Sequence, residues 1–277
     1  MRHKKTIPLM FIMAAGLFGF AVFEVKSQVI DANHLNTMGK QGYLEFQAAP
    51  LHRAFAIAPG GAWAWASGST TVEVAESDAL NACRQYTEQP CHLYAVDDQI
   101  VFDEAAWNTS WDLRTDAKNT VIGTGRGNQF PDLTLNAPDG RKVNLSDLRG
   151  KPVFLHFWGS WCPPCQAEFP ELQALYDSLG GDNAVTFVLV QGRESIVKSR
   201  RWAAKRAITM PLYDSGHQGQ EDHSFSLADS SKVADRRMAT AYPTTYVLDA
   251  NGLVVFHQAG PGEQWFQYEK MFRHLAQ

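Results

Sequence analysis

The feature that most constrains this 277-residue chain is a pair of cysteines two residues apart, Cys162 and Cys165, directly after an aromatic-rich apolar run. Pro163 and Pro164 stand between them, and Trp161 precedes the pair. The spacing lets the two sulfurs close a small disulfide at the start of a helix. There, unpaired backbone N–H groups and the helix dipole favour a thiolate on the first cysteine. The sequence therefore predicts a redox-active dithiol.

Two other uses of a close cysteine pair are less consistent with the sequence. A structural disulfide across so short a gap gives little loop-closure stabilisation. Half of a zinc site would need a second cysteine pair or a histidine pair at ligand spacing, and we find neither. His217, Asp222 and His223 are scattered in a polar stretch, which is not typical of a metal site. We expect no metal site and no cofactor.

The composition is that of an ordinary globular protein, with 45% hydrophobic and 19% charged residues. The length allows one large domain or two modest ones. A formal net charge of −4, with no dense basic patch outside the N-terminus, argues against a nucleic-acid partner.

The N-terminal segment has the pattern of an export signal. Basic residues at positions 2–5 precede an uncharged apolar run over residues 7–23, which Glu24 and Lys26 end. The run is longer than a typical signal core, at the short limit for a spanning helix, and no A-x-A site follows. We predict that residues 1–28 are a signal anchor in the inner membrane and that the rest of the chain faces the periplasm. A cleaved signal peptide and a secreted form are the alternative.

The second cysteine pair, Cys83 and Cys91, is predicted to be structural. An exported chain meets an oxidising compartment, where an even number of cysteines usually means disulfides. Between residues 51 and 114, two short strands, a helix and a further strand suggest a small α+β domain that this disulfide would staple. The glycine-rich stretch 115–129 is predicted to be a flexible linker.

Residues 130–277 alternate between strand and helix patterns, which predicts an α/β sandwich. The strands are bounded by turn signals such as Asn251-Gly252, and the helices carry apolar residues at helical spacing. Predicted strands are 152–158, 184–190, 244–248 and 253–257; predicted helices follow Cys162 and span 195–207, 233–241 and the C-terminus.

Three separated motifs in this region resemble the TlpA/ResA-like extracytoplasmic thioredoxin family of thiol-disulfide oxidoreductases. They are DLRGKP at residues 147–152, WCPPCQAEFP at 161–170, and YPTT at 242–245 leading into VLDANG at 247–252. The resemblance implies a thioredoxin fold over residues 130–277, a three-layer α/β/α sandwich. The small α+β domain and the N-terminal hydrophobic segment would precede it.

The resemblance also assigns roles to the motif residues. It implies that Cys162 attacks a substrate disulfide and that Cys165 resolves the mixed disulfide. We expect the Cys162 sulfur to be exposed and Cys165 to be shielded beneath it. Pro243 matches a cis-proline that faces the dithiol and binds substrate backbone, and Tyr242 before it is bulkier than usual there. Trp161, Tyr242 and Pro243 are therefore the predicted substrate-binding residues.

Two ionisable residues near the dithiol have open roles. Glu168 matches a family position whose carboxylate can relay protons to the thiols, but it could equally be a solvated carboxylate on the helix surface. His156 lies on the strand entering the site, where thioredoxin itself has a buried acid. It could exchange a proton during resolution or be a hydrogen-bonded core residue.

The expected function is reduction of disulfides in exported client proteins. The resemblance suggests clients in cytochrome c biogenesis or copper-site assembly, and reduction of the protein itself by a membrane electron donor. The same chemistry fits a disulfide oxidase or isomerase, because the sequence does not set the reduction potential. A Cu(I) chaperone using the same dithiol is a third possibility, although no Met-rich or His-rich loop lies beside it.

Overall fold

The computed structural model describes residues 34–113, 121–180 and 184–277. The predicted signal segment, residues 1–28, lies outside the described residues. Residues Ala32–Gln277 group into one compact unit. In the described part of the chain, no helix is both long enough and apolar enough to cross a membrane.

The first part of the chain builds a four-stranded antiparallel sheet in the order β2-β1-β3-β4. The strand–strand–helix–strand core of this region agrees with the predicted α+β pattern, whereas the first and third helices were not predicted. The elements are α1 Thr37–Ala48, β1 Ala54–Ile57, β2 Trp63–Ala66, α2 Val72–Arg84, β3 His92–Val96, β4 Gln99–Ile100 and α3 Glu104–Asn108.

The two faces of β1 explain why this sheet lies between two helices. Ala54 and Ala56 point to one face and join a cluster of small side chains with the alanines of α2. Phe55 points to the other face and meets Tyr43 and Phe46 of α1. Strand alternation thus gives one thin alanine layer and one aromatic layer.

The second part of the chain builds a five-stranded mixed sheet in the order β13-β12-β7-β8-β9. Strands β7, β8 and β9 are parallel, and β12 is antiparallel to both β7 and β13. This is the thioredoxin-like arrangement that the motif resemblance implies. The elements are β5 Thr134–Asn136, β6 Lys142–Asn144, β7 Val153–Trp158, α4 Pro163–Ser178, β8 Thr186–Gln191, α5 Ile196–Ala204, β9 Leu212–Tyr213, β10 Ser224–Ser226, β11 Lys232–Ala234, β12 Thr244–Leu248, β13 Val254–Ala259 and α6 Glu269–Leu275, with 3-10 helices at Leu145–Leu148, Asp235–Arg237 and Trp265–Tyr268.

The helices α4, α5 and α6 supply the side chains that cover one face of this sheet. On that face Trp158 of β7 contacts Phe169 of α4 and Trp202 of α5. Phe154 of the same strand meets Phe272 of α6. All six residues of β7 are buried, as the continuous apolar run predicts.

The opposite face corrects two predictions. Residues 233–241 were predicted to be helical, but Lys232–Ala234 forms strand β11, paired with β10, and a 3-10 turn follows. In the expected α/β/α sandwich a helix formed from these residues covers this face, and that detail is therefore wrong. The core cluster on this face contains Leu135, Phe157 and Phe225 and, among the residues described, no member of an α-helix. Phe225, a residue of the β10–β11 hairpin, is buried in this cluster and supplies the packing that a helix would otherwise supply.

The first region packs directly on the second. Trp111 is fully buried and contacts Phe256, Tyr268 and Phe272. The described part of the predicted linker, residues 121–129, is also held in place. For example, the Gly127 N–H donates to the Val254 carbonyl at 2.8 Å. This part of the linker therefore lies against β13 instead of extending freely into solvent.

Candidate active site

The dithiol lies at the start of α4, just after the loop that follows β7. Cys162 is the N-cap residue of α4 and is joined to Cys165 by a disulfide. The backbone N–H of Cys165 donates to the Cys162 sulfur at 3.2 Å. Pro163 and Pro164 occupy the first helical positions, where their missing N–H groups leave no hydrogen bond unmade. In the reduced protein the same N–H and the helix dipole would stabilise a thiolate on Cys162.

Cys162 is less accessible than expected. It is 3% exposed, while Cys165 is fully buried. The Cys162 sulfur lies 3.3 Å from the carbonyl oxygen of Tyr242, and the Tyr242–Pro243 peptide bond is cis. The rings of Trp161 and Tyr242 meet edge to face with centroids 5.2 Å apart. The three predicted substrate-binding residues therefore gather around the Cys162 sulfur.

Glu168 and His156 meet beneath the dithiol, inside the protein. Glu168 is 4% exposed, so the alternative of a solvated surface carboxylate is wrong. One of its oxygens accepts the Gly262 N–H at 2.9 Å, and the other lies 3.1 Å from Nε2 of His156. This second contact is close, but its atoms are not aligned as a hydrogen bond. Nδ1 of the fully buried His156 is 2.9 Å from the Thr245 hydroxyl.

Cys165 and Glu168 are three residues apart on α4, so they lie on the same face of the helix. Both are buried. An acid and an imidazole in contact, one helical turn from the inner cysteine, can accept and return a proton without bulk water.

A third buried ionisable residue, Glu194, was not predicted. It is 2% exposed and accepts the Ser160 backbone N–H at 2.6 Å and the Ser160 hydroxyl at 2.5 Å. The Ser199 hydroxyl donates to it at 2.7 Å, and the Lys198 ammonium is 3.3 Å away. Ser160 precedes Cys162 by two residues, so Glu194 fixes the loop that leads into the dithiol.

Its neighbours Gly192 and Arg193 hold the other side of the site. The Trp161 indole N–H donates to the Gly192 carbonyl at 2.9 Å. A Cβ at position 192 would overlap the Tyr242 hydroxyl, so only glycine fits beside that side chain. Arg193 pairs with Asp235 at 2.7 Å. Burial, followed by the charge of Asp235, raises the pKa of Tyr242, which keeps its hydroxyl protonated.

A sequence signal for residues 192–194 did exist. They follow β8 directly, as residues 159–161 follow β7, and parallel strands bring their carboxyl ends to one sheet edge. A carboxylate directly after a buried strand therefore belongs near the dithiol.

The scattered polar residues His217, Asp222 and His223 do not converge. The Arg193 N–H donates to Nδ1 of His217 at 2.9 Å, and Nε2 of that ring is 2.9 Å from the Ser224 carbonyl. Hydrogen bonds from the backbone N–H groups of Gln218 and Gly219 lower the pKa of Asp222. Among the residues that the structure describes, no three His, Cys, Asp or Glu side chains are placed to share a metal ion.

The second cysteine pair lies in the first sheet region. Cys83, in the last turn of α2, forms a disulfide with Cys91, which directly precedes β3. Cys83 is fully buried and packs in the alanine cluster with Ala75 and Ala79.

Comparison of the sequence with known proteins matches the chain to a family model and to several relatives. The model of the AhpC/TSA family matches residues 126–257. The thioredoxin-like protein YneN of Bacillus subtilis is 31% identical over 147 residues, 53% of this chain and 78% of YneN. The thiol-disulfide oxidoreductase ResA of the same organism is 30% identical over 129 residues, 47% of this chain and 64% of ResA.

Among solved structures, StoA from Bacillus subtilis is 21% identical and matches with a TM-score of 0.38, covering 51% of this chain and 98% of StoA. YneN, at 31% identity and with 78% of its own length covered, establishes the family. The chain belongs to the thioredoxin-like family of thiol-disulfide oxidoreductases.

Proposed function

We propose that this protein is an extracytoplasmic reductase of disulfides in exported proteins, with Cys162 as the attacking thiol and Cys165 as the resolving thiol. The observation that carries the proposal is the position of the Cys162 sulfur. It accepts the Cys165 N–H at the start of α4 and lies beside the Tyr242 carbonyl. The first contact favours a thiolate, and the second marks where a client backbone would lie.

The reaction moves two electrons from the dithiol to the client. The Cys162 thiolate attacks one sulfur of the client disulfide, that bond breaks, and the other client sulfur leaves as a thiolate and is protonated. Cys165 then loses its proton and attacks the Cys162 sulfur. The Cys162–Cys165 disulfide forms as the mixed disulfide breaks, and the second client sulfur leaves as a thiolate and is protonated, so that the client is fully reduced. We propose that a membrane electron donor then returns two electrons to the dithiol, and that Cys165 takes up again the one proton that it lost.

Proton transfer inside the protein is the step that Glu168 and His156 would serve. Cys165 is fully buried, so its proton has no direct path to water during resolution. We propose that the Glu168 carboxylate, one turn further along α4 and in contact with His156, accepts that proton. The Thr245 contact holds the imidazole in place while this happens.

The different regions of the chain have separate proposed roles. We propose that residues 7–23 anchor the chain in the membrane, that residues 51–114 form an accessory region stapled by Cys83 and Cys91, and that residues 130–277 carry the chemistry. The apolar run after a basic flank supports the first assignment.

Trapping in cells tests the assignment of the two thiols. Cys165→Ser should accumulate mixed disulfides with exported proteins through Cys162, whereas Cys162→Ser should trap none. Equal trapping by the two variants would contradict the division into attacker and resolver. A dithiol potential near that of the strong oxidant DsbA, about −120 mV, would instead assign the protein as an oxidase.

A further inference from the structure

Two arginines lie against the aromatic ring that borders the dithiol. The Arg193 guanidinium carbon is 5.9 Å from the centroid of the Tyr242 ring, and that of Arg236 is 5.8 Å away. Both distances are typical of cation–π contacts. We call the surface formed by Trp161, Arg193, Arg236 and Tyr242 the Tyr242 rim. It adjoins the Cys162 sulfur through the Tyr242 carbonyl.

The charge that this rim presents to solvent is positive. Asp235 is 1% exposed and is hydrogen-bonded to Arg193, so one arginine is neutralised. Burial alone would raise the pKa of the Asp235 carboxyl, but the hydrogen bond and charge of Arg193, together with the backbone N–H and charge of Arg236, outweigh it and lower that pKa. Asp235 therefore stays ionised and paired. The nearby carboxylate of Glu194 is buried and bonded to serines and Lys198.

Arg236 has a different situation from Arg193. It is exposed, and Nη1 donates to the backbone carbonyl of Thr240 at 2.8 Å. That contact uses one of the five N–H donors that a guanidinium carries. The group is held beside the ring, and although the buried Asp235 also attracts its charge, its remaining donors can bind an anion from solvent.

We propose that the Tyr242 rim selects client segments that carry an acidic side chain next to the target cysteine, with Arg236 as the specificity-determining residue. The inference rests on the proposed function, because it places the client chain beside the Tyr242 carbonyl. A guanidinium fork matches a carboxylate in two-point geometry, and a charge at the rim of a binding site acts chiefly on encounter and register. Client carboxylates one or two residues from the cysteine would lie within its reach.

Matched peptides test the proposal. Each is a seven-residue peptide with a central cysteine in a mixed disulfide with 2-mercaptoethanol, flanked on both sides by Asp, Asn or Lys. Reduced protein is mixed with each peptide at low salt and at about 0.5 M salt, and single-turnover rates are measured. Peptides with Ser in place of Cys give dissociation constants for the oxidised protein by fluorescence anisotropy, a reading that needs no disulfide exchange.

The expected rate with the Asp peptide is about fivefold above that with the Asn peptide at low salt, and the difference shrinks at high salt. Arg236→Gln should bring the ratio close to one, and Arg236→Glu should shift the preference to the Lys peptide. Lys142→Gln, which removes an exposed cation from β6, should keep the wild-type ratio.

Equal rates and affinities for the Asp and Asn peptides, or a preference that persists in Arg236→Gln, would overturn the inference. If no peptide is reduced, the proposed function fails. The affinities of the Ser peptides still decide the charge preference in that case.

Discussion

The two disulfides of this protein join the same kind of atoms in opposite surroundings. Cys83 lies among alanines in the first sheet region, and its partner Cys91 is eight residues further along. Cys162 and Cys165 are three residues apart at the start of a helix. Around them lie a backbone N–H, the Tyr242 carbonyl and the buried side chains of Glu168 and His156.

The difference teaches that the surroundings, more than the bond, decide what a disulfide can do. Neighbouring alanines offer nothing to stabilise a thiolate and nothing to carry a proton, so Cys83–Cys91 suits a staple. A helix N-terminus stabilises a thiolate, and a buried acid can move the proton that exchange requires. Each of these differences can be removed by substitution.

The largest expected effect comes from breaking each pair. Cys162→Ser should lower the rate of client disulfide reduction by on the order of a thousandfold or more, because it removes the sulfur that we propose attacks the client. Cys83→Ala/Cys91→Ala should keep the rate per folded molecule within about twofold, because the sites are independent. An insulin-reduction assay checks both variants. A comparable loss in the double alanine variant while it remains folded would contradict the comparison.

The second-largest effect should come from Glu194, whose hydrogen bonds hold the loop that leads into the dithiol. Glu194→Ala leaves the Ser160 N–H and two serine hydroxyls without their acceptor in a buried site. We expect the free energy of unfolding to fall by about 3–5 kcal/mol in urea titrations. Glu194→Gln keeps an acceptor oxygen and should lose less. As a control, Lys198→Gln removes an exposed partner and should cost at most about 1 kcal/mol; equal losses in all three variants would contradict this role.

A smaller stability effect should follow from removing the staple. Cys83→Ala/Cys91→Ala should lower the free energy of unfolding by about 2–3 kcal/mol, since the disulfide restricts a short loop in the unfolded chain. Urea titration under oxidising conditions measures it. An unchanged midpoint would mean that packing in the alanine cluster, and not the covalent bond, holds α2 to β3.

The smallest effect should come from Gly192, which lies beside Tyr242. Gly192→Ala would push the Tyr242 ring from its place, because the added Cβ overlaps the Tyr242 hydroxyl. We expect KM for a peptide disulfide to rise about three- to tenfold, with a smaller change in kcat, since the substitution moves Tyr242, the proposed substrate-binding residue, and not a thiol. Gly127→Ala, at a position with open space but positive φ, is the control for backbone effects. A rise in KM of the same size in the control would contradict a specific role for Gly192.

Much of this arrangement was predictable because its signals are local. The C-P-P-C spacing, the continuous apolar strand β7 and the Asn251-Gly252 turn each depend on a few adjacent residues. The structure places all of them as expected. Local patterns of this kind specify elements directly.

The rest depends on contacts between distant segments. Helix α1 carries Gly39 and Gly42, poor helix formers, because a Cβ at position 42 would overlap the Trp63 ring. At the start of the stretch 233–241, which is predicted to be a helix, residues Lys232–Ala234 pair with β10 instead. Glu194 accepts a hydrogen bond from Ser160, which lies 34 residues earlier in the chain. In each case tertiary packing overrides or completes a pattern that the local sequence leaves open.

The most direct test of the central claim measures both disulfides in one molecule. The protein is equilibrated in thiol–disulfide buffers of stepped potential, alkylated, and digested so that mass spectrometry assigns each labelled cysteine. We predict that Cys162 and Cys165 become labelled at clearly less negative potentials than Cys83 and Cys91, which should stay oxidised down to about −300 mV. Labelling of both pairs at the same potential, or of Cys83 and Cys91 first, would contradict the claim that their surroundings set them apart.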